Sequence, residues 1–290
     1  MQKHNIGWLY GLIGVCIFSG SLPATKLAVV SFDPLFLTAA RSVLAAIAGC
    51  ICLAIYRQLH FHSISRRQLK ALILVALGVV IGFPLFTALA LKTINASRAI
   101  VFIGLLPLMT AFFGVLGSTE KPSRLFWFFS IIGAAIVFGF MLQNASPQHI
   151  AVGDLYMIIA IVLCGLGYAE GAKLAKSLGS WQVICWALII SSPLMLILLY
   201  QQYPQDWSNI EISALWSLLY VSFFSMLIGF FFWYKALALG GVAQVGQIQL
   251  LQPFFGFALS ALLLAEPISA AMLSCATVVL LCVGLAKKYS

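Results

Sequence analysis

The chain alternates ten long apolar runs with short stretches that carry charged or turn-forming residues. Each run is about 20 residues long, which is enough for an α-helix to cross the roughly 30 Å hydrocarbon core of a bilayer. The pattern therefore predicts an all-α membrane protein with ten transmembrane helices. The predicted spans are 7–29, 34–56, 69–91, 95–117, 124–143, 154–175, 181–201, 213–235, 242–264 and 269–286.

The composition agrees with a chain embedded in a membrane. Of the 290 residues, 63% are hydrophobic and 8% are charged, whereas a soluble domain carries about a quarter charged residues. Ten spans with short connections use nearly the whole length, so no room remains for a soluble catalytic domain. We expect a multi-pass protein of a bacterial inner membrane.

The basic residues are concentrated in alternate connections. If the N-terminus is cytoplasmic, only Lys92 and Arg98 lie at the outer side, whereas twelve Lys and Arg residues lie at the inner side and Lys26 and Arg41 fall within spans. Cytoplasmic loops of membrane proteins are enriched in Lys and Arg in this way. The bias predicts that both termini are cytoplasmic. It also accounts for the net charge of +9, and no basic run interleaved with aromatics indicates a nucleic-acid partner.

The two halves of the chain share a residue pattern. A shift of 146 residues aligns Pro107 with Pro253 and Glu120 with Glu266, so the Pro-to-Glu separation is 13 in both halves. A chance match between two helix bundles rich in Ala, Leu and Gly is the alternative. Because five helices per half is an odd number, the second half enters the membrane from the opposite side, as in the inverted repeats of secondary transporters. The predicted repeats are residues 1–145 and 146–290.

Four motifs, taken in order, are similar to those of a known transporter family. They are the stretch 18–26 (Phe-Ser-Gly-Ser-Leu-Pro-Ala-Thr-Lys), the stretch 34–41 (Pro-Leu-Phe-Leu-Thr-Ala-Ala-Arg), Pro107 with Glu120, and Pro253 with Glu266-Pro267. Because the motifs occur in this order and the Pro/Glu motif occurs in both halves, the whole chain resembles the EamA-type ten-helix transporters of the drug/metabolite transporter superfamily. One position departs from the family, which often has Trp before the Gly of the first span where this chain has Phe18-Ser19.

The resemblance implies transport of a small molecule, commonly the export of amino acids or related metabolites by alternating access. Import or exchange of a larger metabolite, such as a nucleoside-like compound, is the alternative that the resemblance also allows. The departure in the first span means that no particular substrate is carried over. We expect a small-molecule substrate and membrane lipid as partners, and the oligomeric state, a monomer included, is left open.

The ninth span contains the densest set of neutral polar residues. Gln249 and Gln252 share a face of the predicted helix, and Gln247 lies on another part of it. Amides inside a membrane either line a wet cavity and bind substrate or hydrogen-bond a neighbouring helix. We consider these three residues, with the aromatic ring of Tyr168, as candidates for substrate binding.

Three charged residues that lie well inside predicted spans are candidates for binding or coupling. Arg41 lies about 10 Å into the second span at 1.5 Å per residue, where it binds either a substrate carboxylate or carbonyl groups and Asp33; the structural role is favoured. Lys26 is a candidate for coupling, although its ammonium can reach the outer headgroups. Glu170 is a candidate proton carrier because burial raises the pKa of a carboxyl, but Lys173 lies on the same helical face and neutralises it in the alternative interpretation.

Prolines and glycines inside spans are candidate hinges. A proline removes a backbone hydrogen bond and bends a helix, and broken helices near the midplane expose carbonyls to a ligand. A simple packing kink is the alternative. A shift of 147 residues aligns two glycines, one in each half. The candidate hinges are Pro107, Pro253, Gly20 and Gly167.

The sequence offers no set of residues for a membrane-embedded enzyme. Its four histidines lie at 4, 60, 62 and 149, in loops or at the terminus, and its seven cysteines lie in apolar runs without a C-x-x-C pair. Such an enzyme requires clustered acids, a His-rich box or a nucleophile with its base at membrane depth. We therefore expect no catalytic residues, no cofactor and no metal.

Overall fold

The computed structural model describes residues 2–60, 64–116, 123–144 and 152–288, and the regular structure in these ranges is helical. Two segments, Ala76–Gly82 and Tyr220–Ile228, are π-helical, and Gly246–Leu251 is a 3-10 helix. The α-helices are α1 (Gln2–Ser19), α2 (Ser21–Ser31), α3 (Pro34–Ile55), α4 (Arg66–Val75), α5 (Phe83–Thr93), α6 (Ala96–Ile103), α7 (Leu106–Leu116), α8 (Arg124–Asn144), α9 (Val152–Leu178), α10 (Ser180–Gln201), α11 (Ile212–Leu219), α12 (Gly229–Gly240), α13 (Val242–Val245), α14 (Gln252–Leu264) and α15 (Ala270–Lys288).

Seven helical stretches of the described chain are long and apolar enough to cross a membrane, so the chain is a multi-pass membrane protein. Two shorter apolar stretches, Ile248–Leu264 and Ala270–Cys282, follow them. The prediction of ten spans with cytoplasmic termini goes beyond these seven. The seven stretches are Ile6–Ser31, Pro34–Ile55, Arg66–Thr93, Ala96–Leu116, Val152–Leu178, Ser180–Gln201 and Ile212–Gly240.

The first span is interrupted at Gly20, which separates α1 from α2. The hydroxyl of Tyr220 donates a hydrogen bond of 2.6 Å to the Ile17 carbonyl just before this interruption. A Cβ at position 20 would lie 2.5 Å from the Tyr220 hydroxyl oxygen. The tyrosine therefore fills the space beside the interruption, and glycine is the residue that leaves room for it.

The two candidate hinge prolines occupy equivalent places at helix starts. Pro107 is the second residue of α7, and Pro253 is the second residue of α14. A proline costs no helical hydrogen bond there because the first N–H groups of a helix have no partner within it. The helix geometry therefore changes just before each proline, at a turn in the first case and at the 3-10 helix in the second, rather than at a kink in a helix interior.

Gly167 lies within the unbroken helix α9, where it permits a close helix contact. A Cβ at this position would meet the Val79 side chain at 2.6 Å. Gly78, on the same π-helical segment as Val79, would bring a Cβ to 2.8 Å from the Cα of Gly167. Small residues let helix backbones approach closely in membranes, and in this conformation that is what Gly167 does.

The halves of the chain pack through interleaved helices. In the N-terminal half, α1, α3, α5 and α8 contact α12, α10, α9 and α15 of the C-terminal half, respectively. The first of these pairs is antiparallel, since Gly7 lies beside Gly240 and Gly14 lies beside Trp233. The buried core runs along these seams, and any site at the centre of the bundle is built from both halves.

Candidate substrate site between the two halves

Arg41 is the charged residue at the centre of the site. Its side chain is 4% exposed in the interior of α3. One guanidinium nitrogen, Nη2, donates to the Val221 carbonyl at 3.2 Å and to the Ser225 hydroxyl at 3.3 Å. Arg41 thus joins the N-terminal half to the π-helical segment Tyr220–Ile228 of the C-terminal half.

The local helix geometry explains why these acceptors face Arg41. A π-helical turn changes the ordinary hydrogen-bond pattern of a helix, and such turns are frequent at functional sites. The Ser225 hydroxyl also lies 2.7 Å from the hydroxyl of Ser21, the first residue after the interruption of the first span. Two irregular helix segments therefore supply the neutral polar groups around the guanidinium.

No described carboxylate pairs with Arg41. The ion pairs of the described residues are Lys92–Asp33, Arg98–Asp154 and Lys173–Glu170. Asp33, the acid that the sequence suggested for Arg41, instead accepts a hydrogen bond from the Leu35 N–H and caps α3. The Arg41 Nε is buried and has no hydrogen-bond partner among the described residues. The guanidinium is therefore a buried cation whose hydrogen bonds go to neutral groups.

Aromatic rings form one wall beside this cation. The ring of Phe18 lies 5.2 Å from Phe230 and 6.3 Å from Tyr168, measured between centroids. Trp233 lies 5.5 Å from Tyr168, and its indole N–H is buried without a hydrogen-bond partner in the described chain. The predicted residue Tyr168 thus belongs to a cluster of four rings drawn from both halves.

Two glutamines of the predicted ninth span lie beside these rings. Gln252 is 6% exposed and donates a long hydrogen bond of 3.4 Å to the Phe18 carbonyl, while its Oε1 makes none within the described residues. Gln249 is fully buried and lies near the Tyr168 hydroxyl, yet neither of its amide atoms has a partner of hydrogen-bonding geometry there. Gln247 belongs to the 3-10 helix, and its side chain lies outside the described part of the structure.

A small cavity collects the principal groups of the site. Its volume is about 20 Å³, which is room for about one water molecule. Of the predicted substrate residues, the structure brings Arg41, Tyr168 and Gln252 to this cavity. The full lining is Phe18, Ser21, Leu22, Arg41, Val79, Phe83, Leu106, Tyr168, Ser225, Phe230 and Gln252.

The two coupling candidates lie away from the cavity and have partners. Lys26 donates hydrogen bonds to the Leu91 carbonyl at 2.6 Å and the Ile94 carbonyl at 3.0 Å, at the end of α5. Glu170 accepts a hydrogen bond of 2.7 Å from Lys173. In this conformation Lys26 binds carbonyl groups at the end of α5, and Glu170 pairs with Lys173 within α9.

Comparison with known proteins identifies the family. The model of the EamA-like transporter family matches residues 5–142 and again residues 151–286. The chain belongs to the EamA-like transporter family. The chain therefore contains two copies of this family's domain, as the repeated Pro and Glu pattern indicates. The chain is a membrane transporter of that family.

Individual relatives agree with this assignment. The transporter is 54% identical over 290 residues to "Uncharacterized transporter YdeK" of Bacillus subtilis strain 168, with both chains covered completely. It is 24% identical over 241 residues to "Uncharacterized transporter YyaM" of the same organism, covering 81% of this chain and 77% of the relative. A solved crystal structure matches with a TM-score of 0.71 at 17% identity over 97% of each chain, which shows a shared fold.

Two polar contacts of this EamA-like transporter were missed by sequence reasoning. The carboxylate of Glu266 accepts hydrogen bonds from the N–H groups of Ala96 at 2.9 Å and Ser97 at 2.7 Å, and so caps α6. Arg98 donates two hydrogen bonds to Asp154, from Nε at 2.8 Å and from Nη2 at 2.6 Å. The repeated Glu was a signal for the first contact, although its repeat partner, Glu120, lies outside the described residues.

These contacts define two ends of the bundle. We use "the Glu266 end" for the end that holds Lys26, Arg98, Asp154 and Glu266. The opposite end, where α3, α9 and α12 finish and α10 begins, is "the Lys235 end". Both contacts described above join the N-terminal half to the C-terminal half at the Glu266 end through charged groups.

Proposed function

We propose that this chain is a secondary transporter that exports small carboxylate-bearing metabolites, most of all amino acids or related compounds, across a bacterial inner membrane by alternating access. The buried guanidinium of Arg41 carries this proposal, because it makes hydrogen bonds to neutral groups and to no described acid. Charged side chains at membrane depth are costly, and those that persist pair with another group or serve a ligand. A substrate carboxylate would supply the anion and accept charge-assisted hydrogen bonds from the guanidinium.

The remaining polar groups of the site suit the rest of an amino acid. An amide oxygen accepts hydrogen bonds from an ammonium group, and the Oε1 of Gln252 is buried without a described partner. The rings of Phe18, Tyr168 and Phe230 offer an apolar wall for a side chain. In this proposal Arg41 binds the carboxylate and Gln252 binds the amino group. The side-chain amide of Gln249 has no described partner, so it can rotate to hydrogen-bond the carboxylate or the amino group.

The arrangement of the halves supports alternating access. We infer ten spans with cytoplasmic termini, in which the second five-helix repeat is inverted relative to the first. The interleaved pairs support this inference. In the repeat, α1 corresponds to α9, and α5 corresponds to α12. The contact of α1 with α12 therefore has an equivalent in the contact of α9 with α5, and both pairs are in contact. A cavity of about 20 Å³ is too small for an amino acid, so the substrate requires an open conformation on each side.

Proton coupling through Glu170 is not part of this proposal. Glu170 has a cation at 2.7 Å and lies outside the cavity lining. The proposal therefore assigns recognition to Arg41 and leaves the driving ion to measurement. Loss of proton dependence in Glu170→Gln, with transport retained, would add coupling to the role of this residue.

Transport by purified protein in liposomes tests the proposal. We expect labelled amino acids to move faster than through empty liposomes, and their decarboxylated amines to move no faster. Arg41→Gln should raise the apparent KM about tenfold or more, because a hydrogen bond to a charged group is worth roughly 1.5–3 kcal/mol. Arg66→Gln, an exposed arginine at the start of α4, is the matched control.

Two results would overturn the proposal. If no compound of a broad metabolite panel moves faster than through empty liposomes, transport of this class is rejected. If Arg41→Gln leaves the affinity for amino acids unchanged, or if amines move as well as amino acids, carboxylate recognition by Arg41 is rejected. Comparison of the two orientations in the liposomes decides between export and import.

A further inference from the structure

A second and much larger cavity lies at the Lys235 end. Its volume is about 640 Å³, and it lies between the first helix of the chain and the ends of α3, α9 and α12 and the start of α10. Five aromatic side chains are among the residues that line it. The aromatic residues are Tyr10, Tyr56, Trp181, Phe231 and Phe232.

One cation and one hydrogen-bond acceptor in this cavity have no partner in the described chain. Lys235 is exposed and takes part in none of the ion pairs of the described residues. Gln182 donates from Nε2 to the Oε1 of Gln58 at 2.8 Å. The Oε1 of Gln182 itself is buried and accepts no hydrogen bond from any residue that the structure describes. The cavity thus offers a positive charge and a separate acceptor.

The position of the cavity points to a lipid rather than a soluble ligand. Tyr and Trp side chains at the ends of membrane helices lie at the level of the lipid headgroups. Arg57 and Lys176 lie near the ends of the same helices, so the local field is positive. Basic pockets between membrane helices bind anionic lipid headgroups, and the apolar rings of Phe231 and Phe232 offer a surface for acyl chains.

We propose that this cavity is a binding site for an anionic glycerophospholipid whose headgroup carries a hydroxyl group. Lys235 binds the phosphodiester, and the Oε1 of Gln182 accepts a hydrogen bond from the headgroup hydroxyl. The acyl chains lie along Phe231 and Phe232. This site is separate from the cavity around Arg41, and the lipid acts as a bound partner of the Lys235 end rather than as the transported substrate.

The charge of the headgroup is tested first. Native mass spectrometry of the detergent-purified full chain measures binding of phosphatidylglycerol and of phosphatidylcholine with identical acyl chains. We expect phosphatidylglycerol to bind more tightly, and Lys235→Gln to reduce its binding about fivefold, since a basic residue near an anionic lipid contributes an effect of this size. Lys235→Arg should retain the binding. Lys70→Gln, an exposed lysine of α4 outside the cavity, is the matched control and should bind as the unmodified protein does.

The hydroxyl of the headgroup is tested by a second pair of lipids. Phosphatidylmethanol has the same charge and phosphodiester as phosphatidylglycerol but lacks a hydroxyl group. We expect phosphatidylglycerol to bind about three- to tenfold more tightly, as one hydrogen bond allows, and Gln182→Met to abolish the difference. Gln58→Ala is the matched control, because it removes the same Gln58–Gln182 hydrogen bond and leaves the Gln182 Oε1 in place.

Three results would overturn the inference. The first is equal binding of phosphatidylglycerol and phosphatidylcholine, and the second is a loss in Lys235→Gln no larger than in Lys70→Gln. The third is displacement of phosphatidylglycerol by glycerol 3-phosphate at similar concentration, which would make the site one for a soluble phosphate. Lys235→Arg distinguishes loss of the site from loss of the fold, because a folded protein with a cation at position 235 must still bind.

Discussion

The buried charges of this transporter fall into two kinds, and the difference is visible residue by residue. Asp154 is fully buried, and its two oxygens are 2.8 and 2.6 Å from the Arg98 nitrogens. Arg41 is buried equally well, but its partners are a carbonyl and a hydroxyl. A bidentate pair is a structural link. A buried cation with neutral partners has capacity left for a ligand, and this contrast is why the proposed function rests on Arg41.

The structural pair gives a stability prediction. We expect Asp154→Asn to lower the free energy of unfolding by about 3 kcal/mol, because breaking a buried pair leaves its other member without its counter-charge. The midpoint of thermal or denaturant unfolding in detergent measures this loss. The control is Lys92→Gln, since the Lys92–Asp33 pair has nitrogen and oxygen 3.6 Å apart with side chains 45% and 48% exposed. That change should cost under about 1 kcal/mol.

A double variant measures the coupling energy between Arg98 and Asp154. Arg98→Gln combined with Asp154→Asn should be less destabilised than the sum of the single variants, since their coupling is lost only once. Equal losses in Asp154→Asn and Lys92→Gln would contradict the structural role of the buried pair.

Some of these residues were predictable from the sequence, and others were not. The depth of Arg41 and Gln252 follows from their positions in apolar runs, and the structure buries both. Their partners do not follow from position. The sequence suggested carbonyl groups and Asp33 for Arg41. A carbonyl is an acceptor, that of Val221, but the other is the Ser225 hydroxyl, and both face Arg41 from a π-helical segment that apolar patterning does not indicate. Asp154 lies at the first residue of a predicted span, so its complete burial was likewise not indicated.

At the scale of helices, interruptions and close contacts fix the positions of the site residues. Pro107 and Pro253 were recognisable as equivalent positions, but a proline pattern does not distinguish a kink from a new helix start. The structure places both at starts. Glu266 caps α6, so the carboxylate that marks the repeat in the sequence also satisfies the N-terminal N–H groups of a helix from the other half.

The contact between α9 and the π-helical segment Ala76–Gly82 gives a second stability prediction. A Cβ at Gly78 would lie 2.6 Å from the Leu163 carbonyl oxygen and 2.8 Å from the Gly167 Cα. Both obstacles are backbone atoms, so Gly78→Ala must separate the two helices. We expect the free energy of unfolding to fall by about 1–3 kcal/mol, as in overpacked cores, and the unfolding midpoint in detergent measures it.

The matched control for that change is Gly284→Ala in α15. A Cβ at Gly284 meets nothing within 4 Å, and alanine is the better helix former by about 1 kcal/mol. We therefore expect Gly284→Ala to leave the midpoint unchanged or raise it. A similar midpoint for both variants would show that the Gly78 contact does not limit the approach of these helices.

At the scale of the whole molecule, the two ends of the bundle are closed in different ways. At the Glu266 end, a carboxylate of the C-terminal half caps α6 of the N-terminal half, and Arg98 reaches across to Asp154. The Lys235 end holds the cavity of about 640 Å³, and the halves are joined there by the neutral hydrogen bond between Gln58 and Gln182. Opening at the Glu266 end therefore requires breaking charged contacts. With the cytoplasmic termini that we propose, this end faces outward, and these contacts are candidates for the outer gate of an alternating-access cycle.

Weakening that gate should expose the central cavity from outside the cell. Glu266→Gln keeps one acceptor oxygen but loses the negative charge that Ala96 and Ser97 contact. We expect the closed state to lose about 1 kcal/mol of stability relative to the open state, which is part of the value of a hydrogen bond to a charged group. The population of the open state should therefore rise about fivefold.

The labelling of a cysteine in the cavity measures this change. The reporter is Ser21→Cys, at the cavity wall, in a chain whose seven native cysteines are replaced. Its labelling by a membrane-impermeant maleimide added to intact cells should accelerate about fivefold. Glu211→Gln removes an exposed carboxylate that accepts a hydrogen bond from the Ser213 hydroxyl, and it should leave the rate unchanged. Equal rates in the two variants, or faster labelling only in inside-out vesicles, would contradict the assignment of the Glu266 end as the outer gate.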